Sequence, residues 1–190
     1  TGRATLDEAL TPGPGGFTVL LAGSGLVEYS RMTPQVRDKL IDVIARVRPR
    51  FDRILLDTGA GISDVVLYAV SLADEVLMVA TPEPTSLTDA YATIKVLATT
   101  QAARPVHVLV NQVQRTGEGR AVRAQLQQVV DRFVSPRLPA PLVLGYLGEL
   151  PYDMLVRDCV QRRQLLLEAM PGSAPAQALS AAAGKLASHE

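Results

Sequence analysis

What the chain has little of narrows it first. Its 190 residues hold one cysteine, Cys159, so no internal disulfide can staple it, and a reducing compartment is implied. Neither sign of charge is in excess, nineteen Lys and Arg against nineteen Asp and Glu. No net field therefore steers the chain toward nucleic acid or anionic lipid. No apolar run approaches the ~20 residues of a membrane-spanning helix, and no secretory leader is visible. His107 and His189 stand apart, and the sequence shows no His/Cys cluster with metal-ligand spacing, no nucleophile elbow and no internal repeat. What is there is a hydrophobic fraction of 47%, which at this length supports a folded core. The composition predicts one cytoplasmic domain spanning 1–190, without direct nucleic-acid binding.

Apolar runs alternate with stretches of helical period, the signature of βαβ units and a mostly parallel sheet. Strands are predicted at Phe17–Ala22, Arg53–Leu56, Glu75–Ala80, Val106–Val110 and Leu142–Leu147. Pro12–Gly16 reads as a turn-rich connector. Thr33 and Pro34 have the character of an N-cap and first helical residue. Val36, Leu40, Val43, Ile44 and Val47 then recur on one helical face. Further helices are expected over Ser63–Leu72, from Ser86 to about Ala98, around Val122–Phe133, over Asp153–Met170 and over Ala174–Ala187. Ser86 and Asp89 have capping-box spacing. The fold class is α/β, about five strands and six helices. In such sheets ligands bind beyond the carboxyl ends of the strands, where polar residues fall at 57–61, 81–86, 111 and 148–153.

The sharpest local signal is Ile54-Leu55-Leu56-Asp57-Thr58-Gly59-Ala60-Gly61. A carboxylate ending a buried strand suits a water-mediated hold on Mg²⁺, and the small residues after it let backbone approach a phosphate or a partner closely. The segment Asp57–Ser63 resembles the Walker B region of MinD/ParA-type ATPases, in the form of the flagellar regulators FlhG and FleN. Thr81-Pro82-Glu83-Pro84-Thr85-Ser86-Leu87-Thr88-Asp89-Ala90-Tyr91 is similar to the next segment of that group. Val108–Asn111 and Gly148-Glu149-Leu150-Pro151-Tyr152-Asp153 resemble its adenine-binding strand end and loop.

The resemblance implies an incomplete P-loop NTPase fold of the SIMIBI, MinD-like kind, with ATP or ADP and Mg²⁺ as the family's cofactors. It implies Asp57 as the catalytic and Mg²⁺-organising residue, and Gly59, Ala60 and Gly61 as a loop responding to phosphate. Asn111 would read the adenine edge, and Pro151, Tyr152 and Asp153 would contact the base. Glu83, Ser86 and Asp89 fall where relatives meet a partner or the opposite protomer. The implied partners are a second copy and a flagellar regulatory protein, either a signal-recognition-type GTPase or a transcription activator. A non-catalytic interaction module and a partition- or secretion-associated ATPase are the alternatives.

One departure limits the expected chemistry. A Walker A loop joins Gly-rich backbone amides to a Lys and a Ser or Thr, and no such segment is present. Losing the Lys and two amides removes about 6 kcal/mol, or roughly four decades of affinity. The chain is therefore expected to be an N-terminally truncated domain, beginning after that loop and inactive alone. A missing interior strand would expose unpaired backbone, and the space is expected to be filled by rearrangement, by another chain or by further residues. The Ala-rich tail from Ala174 lacks the large apolar and basic faces of a membrane-binding helix.

Overall fold

A computed structural model describes residues 5–21, 33–100 and 104–188. The chain divides into two compact units. One comprises residues 1–58 and 63–69, the other residues 59–62 and 70–190.

In the first unit, Thr5 and Glu8 cap α1 (Leu6–Ala9) reciprocally, each side chain bonded to the other's backbone N–H. The strands β1 (Leu10–Pro12) and β2 (Thr18–Leu20) pair antiparallel around the turn containing Gly15 and Gly16, both at positive φ. The run foreseen at Phe17–Ala22 is thus one arm of a hairpin. Its end at Ala22 lies outside the described residues. The helix α2 (Pro34–Val47) starts as expected, with the Thr33 hydroxyl accepting from the Val36 N–H at 3.3 Å. Its stripe Val36, Leu40, Val43 and Ile44 is half-buried and ends at the buried Val47.

Residues 53–60 correct the sequence reading, because Arg53–Leu56 is not a strand. Leu55 is 81% exposed and Asp57 is exposed as well. A β-branched and leucine-rich run becomes a strand only when a neighbour takes up its backbone hydrogen bonds, and none pairs with it among the described residues. The helix α3 (Asp64–Leu72) follows, with the Ser63 hydroxyl accepting from the Val66 N–H.

The second unit holds the sheet. The strands β3 (Val76–Ala80), β4 (Val106–Val113) and β5 (Leu144–Pro151) are parallel, in the order β3-β4-β5. The helices α4 (Pro84–Thr100) and α5 (Glu118–Phe133) make the two crossovers, as parallel neighbours require. The sheet is therefore parallel but three-stranded, smaller than the five-stranded sheet expected. Val106–Val110 of β4 are all buried, in keeping with a central strand covered on both faces. Ile94 of α4, Val130 of α5 and Leu144 of β5 are fully buried around it. The helix α8 (Ala174–Ala187) packs on β5, bringing Ala182 against Leu109 and Leu147.

Several boundaries differ from expectation. The helix α4 opens at Pro84, two residues before Ser86, so Ser86 is no N-cap. Its hydroxyl instead accepts from the Thr81 N–H at 2.9 Å. Strand β5 starts at Leu144 and runs on through Gly148–Pro151, so the first four residues of the predicted 148–153 loop are strand. The single helix expected over Asp153–Met170 is two, α6 (Met154–Gln161) and α7 (Leu166–Ala169), because Arg163 turns left-handed at φ 55°.

Candidate nucleotide-binding edge

The carboxyl ends of the three strands carry most of the anticipated residues of the second unit. Strand β4 does not stop at Asn111. It bulges there, skipping the regular register between Val110 and Val113, with Gln112 at φ 59°. A non-glycine residue held at positive φ is a local strain that cooperating neighbours must impose. The Asn111 side-chain oxygen accepts from the Gln112 N–H at 2.9 Å. That fixes the amide's orientation and leaves its NH₂ with no protein acceptor among the described residues. The bulge thus presents a donor at the tip of the central strand, the chemistry needed to read a base edge.

Strand β5 is locked to this bulge. Val113 and Pro151 are partners in register, and the Tyr152 N–H donates to the Val113 carbonyl at 2.9 Å. Pro151, Tyr152 and Asp153 are therefore brought beside the segment that carries Asn111. Tyr152 is exposed, its hydroxyl 3.3 Å from the Met154 sulfur. The Asp153 carboxylate caps α6, accepting from the Leu155 N–H at 2.9 Å, so its contribution to a ligand would come from backbone.

Sequence reasoning gave Glu149 no role, and the structure gives it a central one. Its two oxygens accept from the Gly117 and Gly119 N–H groups at 2.8 Å each, and the Tyr146 hydroxyl donates to it at 3.2 Å. It holds the start of α5, and with it the loop that follows Asn111, onto β5. Burial pulls the Glu149 carboxyl upward, but the two backbone donors, the tyrosine and the charge of Arg120 outweigh it, and the group ends below the ordinary value. Burial first, and then the adjacent carboxylate, pushes the Tyr146 phenol up to about 12. A Cβ at Gly119 would stand 2.7 Å from that of Glu149, so the close approach demands glycine. Only the fold reveals this pairing, since Glu149 lies 30 residues from Gly119.

At the end of β3, the Thr81 hydroxyl oxygen is buried with no hydrogen-bond partner. Such an orphan at a strand tip marks a place where an outside group would complete the bonding. Glu83 precedes α4 and is exposed, Asp89 is exposed on that helix, and Ser86 is half-buried and committed to Thr81. Gly59, Ala60 and Gly61 are exposed, with Gly61 at φ 95°. Asp57 belongs to the first unit and is exposed in its irregular stretch. Among the described residues no cluster of three or more His, Cys, Asp or Glu could hold a metal, and no helix is long and apolar enough to cross a membrane.

A parallel α/β sheet flanked by helices, with its polar residues on the carboxyl edge, defines the class, and solved structures agree. The chain superposes on MinD of Aquifex aeolicus with a TM-score of 0.72 at 24% identity, over 100% of this chain and 72% of that one. The septum site-determining protein MinD of Pyrococcus horikoshii, complexed with Mg-ADP, gives 0.69 at 23% identity, over 98% and 70%. In sequence the chain is 38% identical to the antiactivator FleN of Pseudomonas aeruginosa over 185 residues, covering 97% of this chain and 64% of FleN. It is 31% identical to the flagellum site-determining protein YlxH of Helicobacter pylori over 189 residues, covering 98% and 61%. The chain thus spans less than two thirds of the length of these curated relatives. No family model matches it. The chain is thus a homologue of FleN and YlxH with a MinD-like fold, which supports a MinD/ParA-type ATPase relationship near the FleN/FlhG group.

Proposed function

We propose that these residues belong to a cytoplasmic regulator of flagellar number or placement that acts through nucleotide-dependent dimerisation and partner binding. The observation that carries this reading is the 38% identity to FleN along 97% of the chain. In this reading Asn111 and Pro151–Asp153 hold the adenine, supported by the donor left at the β4 bulge and by the Tyr152–Val113 hydrogen bond. Gly59–Gly61 answer to the phosphates, and Asp57 organises Mg²⁺ through water. The two ends of a nucleotide fare differently. The base end has a fixed amide and a locked loop to meet it. The phosphate end has Asp57 and small residues but no lysine-bearing glycine loop in these 190 residues, so no hydrolytic step is assigned to them.

Glu83, Ser86 and Asp89 are the proposed surface for the opposite protomer or a partner, the latter a signal-recognition-type GTPase or a flagellar transcription activator. The irregular, exposed stretch around Asp57 favours, as a second reading, an interaction module that has lost nucleotide binding. A chimera tests the main reading. The matching region of Pseudomonas aeruginosa FleN is replaced by this chain, and flagella are counted in cells lacking FleN. Restored flagellar number is expected. A chimera that is folded and abundant yet leaves the count uncorrected would count against the flagellar role.

A further inference from the structure

The stretch joining β5 to α8 is more exposed than any core-building segment should be. The helix α6 buries Cys159 and keeps Leu155 and Val156 half-covered, while its other face carries exposed Met154, Arg157, Val160 and Gln161. Val160 is 70% exposed, and Leu165 and Leu167 on and beside α7 are 44% and 45% exposed. Single exposed apolar side chains need no explanation, but a run of them on one short segment does. Interleaved with them are Arg157, Arg162 and Arg163, all exposed. None of the three makes a side-chain hydrogen bond or ion pair among the described residues.

Arg163 adds a further observation. It ends α6 in the left-handed conformation, φ 55°, with its N–H on the Val160 carbonyl at 3.1 Å and the Gln164 N–H on the Cys159 carbonyl at 2.9 Å. Glycine fills this position at no steric cost, and Asn tolerates it. An arginine here costs conformational energy, and its side chain makes no hydrogen bond or ion pair among the described residues.

We propose that α6, α7 and the turn between them form a docking surface for an acidic, amphipathic helix of a protein partner. Charge complementarity selects that occupant. Three uncommitted guanidinium groups face solvent against only Asp158 and Glu168, and arginine forms bidentate bonds with carboxylates. The exposed Val160, Leu165 and Leu167 would meet an apolar stripe at helical spacing. The site stands apart from the nucleotide reading and does not depend on it, although α6 begins directly after Pro151–Asp153.

A displayed library of random 16-residue peptides, selected on the full chain, is the probe. Selected sequences are expected to pair acidic residues with apolar residues at helical spacing. Their affinity, read by fluorescence anisotropy, should fall roughly tenfold or more in the Arg162→Glu, Arg163→Glu double variant. Arg163→Gly is the structural control. It should keep or raise the thermal midpoint, because the left-handed turn is relieved, while still losing affinity. Three outcomes would overturn the proposal: selected peptides without acidic bias, affinity unchanged in these variants, or tighter arginine-dependent binding to phosphatidylglycerol vesicles or a 20-base-pair duplex than to the peptides.

Discussion

Two backbone amides, those of Gly117 and Gly119, and the Tyr146 hydroxyl all converge on the carboxylate of Glu149. Hydrogen bonds to a charged acceptor are among the stronger ones, and here they tie the first turn of α5 to β5. Glu149→Gln keeps the shape but weakens all three, at a cost of about 1–3 kcal/mol near neutral pH. The sign of the pH dependence follows from the lowered carboxyl. A group that is more acidic when folded stabilises fully above its unfolded value, near 4.5, and loses that contribution as pH falls through the folded value. Urea denaturation of both proteins from pH 7 to pH 3 should show the stability gap constant at the neutral end and closing below about 4.5. A gap that widens on acidification would contradict the assignment. At this scale the sequence was partly legible. Asn111 could be singled out because a short amide at the end of an apolar run is conspicuous. Glu149 could not, because its partners are distant in the chain and nothing local announces a carboxylate that caps another element.

Elements were legible where their signals are local. Thr33 and Pro34 open their helix as their chemistry dictates. The buried run of β4 identified itself by length and branching. Arg53–Leu56 misled because strand formation depends on a partner rather than on composition. The break between α6 and α7 was hidden because arginine stands where a glycine would have announced it. The sheet's two margins also differ in a way no pattern foretells. The backbone of β5 near its edge is taken up by side chains. Gln127 bonds both the Leu144 N–H and the Leu142 carbonyl, Arg123 bonds the Leu144 carbonyl, and Lys185 donates to the Leu147 carbonyl at 2.9 Å. Strand β3 pairs only with β4 among the described residues, and its Leu77 and Val79 are exposed. A blunted edge resists further pairing and an apolar open edge invites it. Val79→Lys should lower self-association of the chain in sedimentation velocity while changing stability by no more than about 0.5 kcal/mol. Unchanged association would mean that β3 is not the sticky margin.

For the whole molecule, the β-α-β-α-β order of the second unit was readable from alternating apolar runs and helical periods. Kinship with MinD/ParA-type ATPases was readable from four ordered motifs. The smaller sheet was not, since counting apolar runs does not tell which of them find neighbours. In the proposed reading a nucleotide would meet a base end at Asn111 and the β5 turn, and a phosphate end without the grip of a lysine-bearing glycine loop. Because charged hydrogen bonds to phosphate carry most of such affinity, that division has a measurable consequence. The most direct measurement is calorimetric titration of the 190-residue chain with Mg-ATP and Mg-ADP. No binding in the micromolar range is expected for either nucleotide. Clear micromolar binding would contradict this, and would mean that other residues of this chain hold the phosphates.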